Sequence, residues 1–274
     1  DGSSCNDLYT LTATAPASGT GTWTMISTPS GTETSFISDV NDPASDVQVS
    51  QSGTYEFQWE VVNGGCVDAD TVAVTFEDEL VISPTIFDGV DYCNFSIGGI
   101  INTGASGGSG DFAYLWAPTG ETDPQLNDGS FSGAPGGIYR LDLSDNITGC
   151  STFGVYALGD ASVDANVGVV AVDNNCSGSA NGEIHVTDTI NDFNFTIFDD
   201  QRNVLHTGSG LAGVTEVHTG LSGGTYFVEV EDAVSGCSTG REVLITAPAP
   251  VTLASIVIND ATCPGATDGS ITMD

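Results

Sequence analysis

Seven cysteines stand at positions 5, 66, 93, 150, 176, 237 and 263. Thiols can hold zinc or close disulfides, and spacing decides between the two. Zinc asks for Cys-x-x-Cys or for cysteine and histidine near one another, and no two of these cysteines are close. Taken in order they fall into pairs, 5 with 66, 93 with 150 and 176 with 237, and the first members of successive pairs recur at a nearly constant interval. Two cysteines per unit of about 85 residues is the pattern of tandem secreted domains, each closed once. The register predicts Cys5–Cys66, Cys93–Cys150 and Cys176–Cys237, with Cys263 opening a fourth unit. Closing a loop of about 60 residues contributes roughly 4 kcal/mol in the chain-entropy model.

Other groups offer less chemistry. Asp39, Asn41, Asp42 and Asp46 set short oxygen-bearing side chains around Pro43, a candidate calcium site that competes with Asx-turn chemistry. Asp88 with Asp91, and Asp173 with Asn174, are weaker versions of it. His185, His206 and His218 have no nucleophile motif beside them, and no Gly-x-Ser-x-Gly, phosphate loop or His-Glu-x-x-His occurs. The expectation is a non-enzymatic protein with no catalytic residues.

The elements that carry these residues are strands. Tyr55, Tyr139 and Tyr226 each precede the second cysteine of their unit (Cys66, Cys150, Cys237) by the same offset and follow Gly53, Gly137 and Gly224 by two. From each tyrosine the chain alternates, as in Tyr55, Phe57, Trp59 and Val61 against Glu56, Gln58 and Glu60. Period-two alternation makes a half-buried antiparallel strand. A further apolar run follows each second cysteine, so the pair reads as the last hairpin of a sandwich. No long segment has helical spacing, and 35 glycines punctuate turns. The predicted fold is all-β: tandem immunoglobulin-like β-sandwich modules, beads on a string, at 1–80, 81–163, 164–250 and a truncated 251–274. Thr246 to Val251, with two prolines, reads as a stiff connector.

With 274 residues, 39% of them hydrophobic, each module can bury a core. The 37 acidic residues face three arginines and no lysine, for a net charge of −34. That balance excludes nucleic acid as a partner and offers nothing to anionic membranes. Calcium is the cofactor it favours, though none is required. No apolar run reaches the roughly 20 residues that cross a bilayer. Without lysine, Lys-Asn crosslinks cannot form, so disulfides must resist force. The start at Asp1 inside a strand and the stop inside a motif suggest an excerpt of a longer array.

Units three and four share C-x-G-x-x-[ND]-G-x-I, as Cys176, Gly178, Asn181, Gly182, Ile184 and as Cys263, Gly265, Asp268, Gly269, Ile271. A second signature, Gly-x-Tyr and later Asp-x-x-x-Gly-Cys-Ser, spans Gly224 to Ser238 and Gly137 to Ser151. Together they resemble the SprB-type repeat of Bacteroidota cell-surface proteins. Unit one lacks the Asp and Ser around Gly65-Cys66 and looks more like the PKD-like or Ig-like modules that accompany such repeats. The resemblance implies a giant exported protein, a gliding-motility adhesin or filament delivered by type IX secretion. Its partners would be neighbouring modules, surface polysaccharide, or other copies in a filament. It also makes Asp70-Thr71-Val72 and Asp188-Thr189-Ile190 candidate O-glycosylation sites, at Thr71 and Thr189. A carbohydrate-binding accessory array is the competing function, with Trp23, Trp59 and Trp116 as candidate platforms.

Overall fold

The computed structural model describes residues 2–30, 35–87, 93, 99–117, 130–252, 254–263, 265 and 267–273. Alternation along Gly53–Asn63 governs the first module. Tyr55, Phe57 and Trp59 are buried while Glu56 is exposed, so one strand face builds a core and the other stays in water. The strands are β1 (Gly2–Ser4), β2 (Leu8–Thr10), β3 (Thr20–Ser27), β4 (Ser35–Ile37), β5 (Asp46–Val49), β6 (Gly53–Asn63) and β7 (Cys66–Phe76). They form two sheets, β1-β7-β6-β3 and β2-β5-β4, with β1 parallel to β7 and the other pairs whose register is defined antiparallel. Leu11, Val47 and Val49 from one side meet Trp23, Tyr55, Phe57, Val74 and Phe76 from the other. Two sheets closing on one core, with this strand order, define an immunoglobulin-like sandwich.

Next come β8 (Val81–Phe87), β9 (Gly99–Ser106), β10 (Phe112–Ala117), β11 (Ser130–Ala134), β12 (Gly137–Asp145) and β13 (Ser151–Leu158). They pair as β11-β9-β8 and β10-β12-β13. A one-turn helix, α1 (Ala161–Asp164), is capped by the Asp160 carboxylate, which accepts from Ser162 N–H.

The last complete module holds β14 (Val167–Val172), β15 (Gly182–Asp188), β16 (Phe193–Phe198), β17 (Val204–Gly210), β18 (Thr215–Leu221), β19 (Gly224–Asp232) and β20 (Ser238–Ile245). Its sheets, β14-β15-β18 and β17-β16-β19-β20, enclose Ile184, Val186, Phe193, Ile197, Val228, Val230 and Ile245. A final hairpin pairs β21 (Ile256–Asn259) with β22 (Ser270–Met273). By contacts the chain forms two compact units, residues 1–88, 98–134 and 139–155 in the first and the remainder in the second.

The tyrosines that share one offset from the second cysteine are core residues, Tyr55 0% exposed, Tyr139 5% and Tyr226 9%. The hydroxyls of Tyr55 and Tyr226 each donate back to a carbonyl on the preceding loop, Gln51 at 2.9 Å and Ser222 at 3.0 Å. This tyrosine corner pins the strand to the loop before it.

Candidate functional site

The second-cysteine corner is built from its first aspartate outward. In Asp232-Ala233-Val234-Ser235-Gly236-Cys237 the carboxylate turns back on its own loop, Oδ1 accepting from Val234 N–H at 2.8 Å and Ser235 N–H at 2.9 Å, Oδ2 from the Asn191 amide at 2.5 Å. Gly236 supplies a φ of 73°, in the left-handed region, and its N–H donates to Asp232 O. Asp145 repeats the geometry, accepting from Ile147 and Thr148 N–H at 2.9 Å and from Ser109. This explains Asp-x-x-x-Gly-Cys: the buried aspartate satisfies the backbone donors of a tight surface corner, and so sets Cys150 and Cys237 in buried positions.

Hydrogen bonds hold Asp145 well below the usual carboxylate range, that from Thr148 N–H foremost. At Asp232 burial works upward, but the bonds from Ser235, Val234 and Asn191 outweigh it and the net shift is down. A depressed carboxylate contributes stability above its unfolded pKa and loses it as pH falls through the lowered folded value. Asp232→Ala, which strands three donors, should therefore cost about 3 kcal/mol at pH 7, and the deficit should shrink in acid as the wild type also protonates. Denaturant titrations at pH 7 and pH 3 measure both; a deficit independent of pH would mean the carboxylate charge is not what holds the corner.

The first-cysteine loop has its own logic. Asn181 accepts from Asn175 N–H, and Asp268 from Thr262 N–H, in each case the residue just before the cysteine. Gly178 and Gly265 turn the chain at φ 69° and 90°. The loop joins the first two strands of a module, β14 to β15 and β21 to β22, just as Cys5 lies between β1 and β2 and Cys93 between β8 and β9.

The bonds depart from the expected pairing. The structure joins Cys5 to Cys150 and Cys93 to Cys237, while Cys66 and Cys176, expected in bridges, are free and exposed, as is Cys263. Each bond lies within one compact unit. The reason is the direction in which the strands travel. Ser4 sits beside Phe76 at the far end of β7, so Cys5 is separated from Cys66 by the length of that strand, roughly 35 Å. Likewise Asn174 N–H donates to Thr246 O beyond the end of β20, whereas Cys237 precedes its start. First and second cysteines occupy opposite ends of a sandwich, and a disulfide needs Cα atoms within about 7 Å. The observed Cα separations are 5.4 and 6.0 Å.

At Asp39–Asp46 one carboxylate oxygen of each aspartate is engaged by a donor of this module. Asp39 Oδ1 accepts from Asn41 N–H, Asp42 Oδ1 from Ala44 N–H, and Asp46 Oδ1 from the Thr10 hydroxyl, while the Asn41 amide donates to Gly21 O. These are Asx turns, and among the described residues no three His, Cys, Asp or Glu side chains gather as metal ligands. Asp173 Oδ1 accepts from Thr246 N–H; Asp88 and Asp91 lie outside the described residues. Thr71 and Thr189 are exposed, the latter donating to Asn166 O. His206 and His218 stack at 4.4 Å, and burial, then the neighbouring imidazole, lowers the pKa of His218. His185 pairs with Glu183 at 2.7 Å.

One feature escaped the sequence. Trp23 and Trp59 pack at 5.1 Å beneath a cleft of about 590 Å3 that Thr12, Thr14, Asp68, Asp70 and Thr71 help to line. The indoles are 4% and 6% exposed, as core residues are. Strict alternation puts Asp68 and Asp70 in the inward phase, opposite Val61 and Trp59, which is the signal that finds the cleft.

No family model matches the chain, and no curated protein does. Solved structures similar to it include the BSP domain of a biofilm associated protein, 14% identical over 78% of this chain and 51% of that one, at TM-score 0.25. A three-Ig segment of titin is 12% identical over 90% and 95%, at 0.28. The ectodomain of mouse nectin-like molecule 4 is 12% identical over 92% and 98%, at 0.25. The match spans about half the length of that BSP-domain chain. Scores this low carry no argument about function; the Ig-like assignment stands on strand order and core.

Proposed function

We propose that the chain is a structural and adhesive stalk segment of a secreted surface protein or extracellular filament, without catalytic activity. The observation that supports this best is the pair of disulfides whose loops overlap, which resists extension. Acidity without lysine and serial sandwiches favour reach and multivalent display. The sequence motifs support the finer reading of a giant Bacteroidota adhesin, exported by type IX secretion, engaged in gliding motility, with Thr71 and Thr189 as glycan acceptors. Its partners are then adjoining modules and surface polysaccharide, and it needs no cofactor.

Beads coated with the chain, held on a polysaccharide surface under flow, test it. Retention should fall several-fold once the disulfides are reduced and the thiols alkylated. Equal retention before and after reduction, or release of sugar from the surface, would refute the stalk reading.

A further inference from the structure

One stretch of chain is held residue by residue on a strand face that ordinarily meets water. On β16, β19 and β20 the inward phase builds the core with Ile197, Val228 and Ile245, and the opposite phase carries Phe198, Phe227, Glu229 and Gly240. Phe198 and Phe227 are nevertheless buried, as is Ile138. Pro135–Ile138, the connection into β12, belongs to the same compact unit and lies against this outer face. Ile138 N–H donates to the Glu229 carboxylate at 3.0 Å, and Ile138 O accepts from Arg202 Nε at 2.9 Å. Gly136 O accepts from the Ser238 hydroxyl at 2.5 Å. Two glycines make room for the approach: a Cβ on Gly136 would overlap Ser238 O, and one on Gly240 would overlap Gly137 O.

Arg202 marks the contact as selected. Among the described residues it is the one non-glycine residue with a left-handed φ, 66°, in a turn where Arg202 N–H donates to Asp199 O. Glycine or asparagine adopts that conformation with far less strain. One of only three basic residues in the chain is thus held in an unfavourable backbone conformation, and its guanidinium binds Ile138 O and lies over the Phe198 ring at 5.3 Å.

We propose that Gly136-Gly137-Ile138 is a releasable latch, docked on the outer face of the last sandwich and pulled off by tension while that sandwich stays folded. The segment lies inside the interlock, between Cys93 and Cys150, where the two covalent loops overlap, so load on the oxidised chain passes through it. Its hold is through single side chains, whereas β19 is bonded along its length to β16 and β20. Arg202, Glu229 and Ser238 are not members of the core, so letting go of the segment leaves the core intact. The stalk reading supplies only the source of the tension, and the docking is tested at rest.

The test uses the whole oxidised 274-residue chain. In native-state hydrogen exchange the Ile138 amide should exchange roughly tenfold or more faster than those of Val228 and Val230, through an opening that denaturant does not accelerate. Gly136→Ala and Gly240→Ala set a methyl group against the docked backbone from either side. Each should speed Ile138 exchange by roughly a further tenfold and leave Val228 and Val230 within about twofold. Position 136 lies outside the last sandwich, so that variant decides the matter even if Gly240→Ala disturbs β20. Arg202→Gly should loosen Ile138 without loosening the core, since glycine relieves the φ at 202. Pulled by its ends, wild type should give a low-force step ahead of sandwich unfolding, and Gly136→Ala should lack it. Ile138 exchanging only together with the core, alanine variants that leave its protection intact, a wild type without the low-force step, or a step that persists in Gly136→Ala would each overturn the latch. None of these readouts depends on retention of beads at a surface, so latch and stalk fail separately.

Discussion

Stretched until every strand is lost, the oxidised chain should extend about 200 Å between residues 5 and 237, and the reduced chain about 800 Å. The two covalent loops, 5 to 150 and 93 to 237, overlap between Cys93 and Cys150. Tension entering at Cys5 crosses to Cys150, runs backward along the shared segment to Cys93, and crosses to Cys237. Every other route between those points is longer, so 6–92 and 151–236 never become taut. Reduction restores the whole path from Cys5 to Cys237, a roughly fourfold change in length. Single-molecule pulling with and without reductant measures it. Bonds within repeats would limit the oxidised chain to a similar length, so Cys66→Ser provides the discriminating arm. In the observed pairing Cys66 is free, and its loss leaves the oxidised length at about 200 Å; in the within-repeat pairing it would release the whole stretch from Cys5 to Cys66, to about 400 Å. A doubled length in Cys66→Ser would show that the interlock is wrong.

Tyr226→Ala should destabilise its module by about 3–5 kcal/mol, the cost of removing a large buried aromatic. Tyr226 packs in the core with Ile184, Phe195, Val228 and Ile245, and its hydroxyl fixes the loop at Ser222. Tyr226→Phe keeps the ring and loses the hydrogen bond, at about 1 kcal/mol. Amide exchange in β15, β16 and β19 reads the effect directly, since those strands enclose the same core. Exchange through global opening of the module should accelerate on the order of 10²–10⁴-fold for the alanine variant and less than tenfold for phenylalanine. Equal acceleration would place the stabilisation in the hydroxyl rather than in the ring.

Cys66 and Tyr226 also mark the division between what was legible in the sequence and what was not. Period-two alternation from Tyr55, Tyr139 and Tyr226 determined the strands, their inward faces and the all-β class, because a residue's side of a pleat is a local property. The Asp-x-x-x-Gly-Cys and C-x-G-x-x-[ND]-G motifs determined their loops, because the bonds from Asp232 to Val234 and from Asn181 to Asn175 close within a few residues. At Asp39–Asp46 the same short-range chemistry was visible, but turn and metal ask for the same residue types; the structure turns one oxygen of Asp39 and one of Asp42 to Asn41 and Ala44 N–H. The cysteine partners were beyond the sequence altogether. Two cysteines recurring at fixed places in every repeat suit a bond inside the repeat or one to the next. Only the course of β1 parallel to β7 and of the loop beside Thr246 shows that the two cysteines of a repeat stand at opposite ends of its sandwich. A disulfide depends on ångströms between Cα atoms, and that distance is a property of how strands travel in space rather than of how residues are counted along the chain.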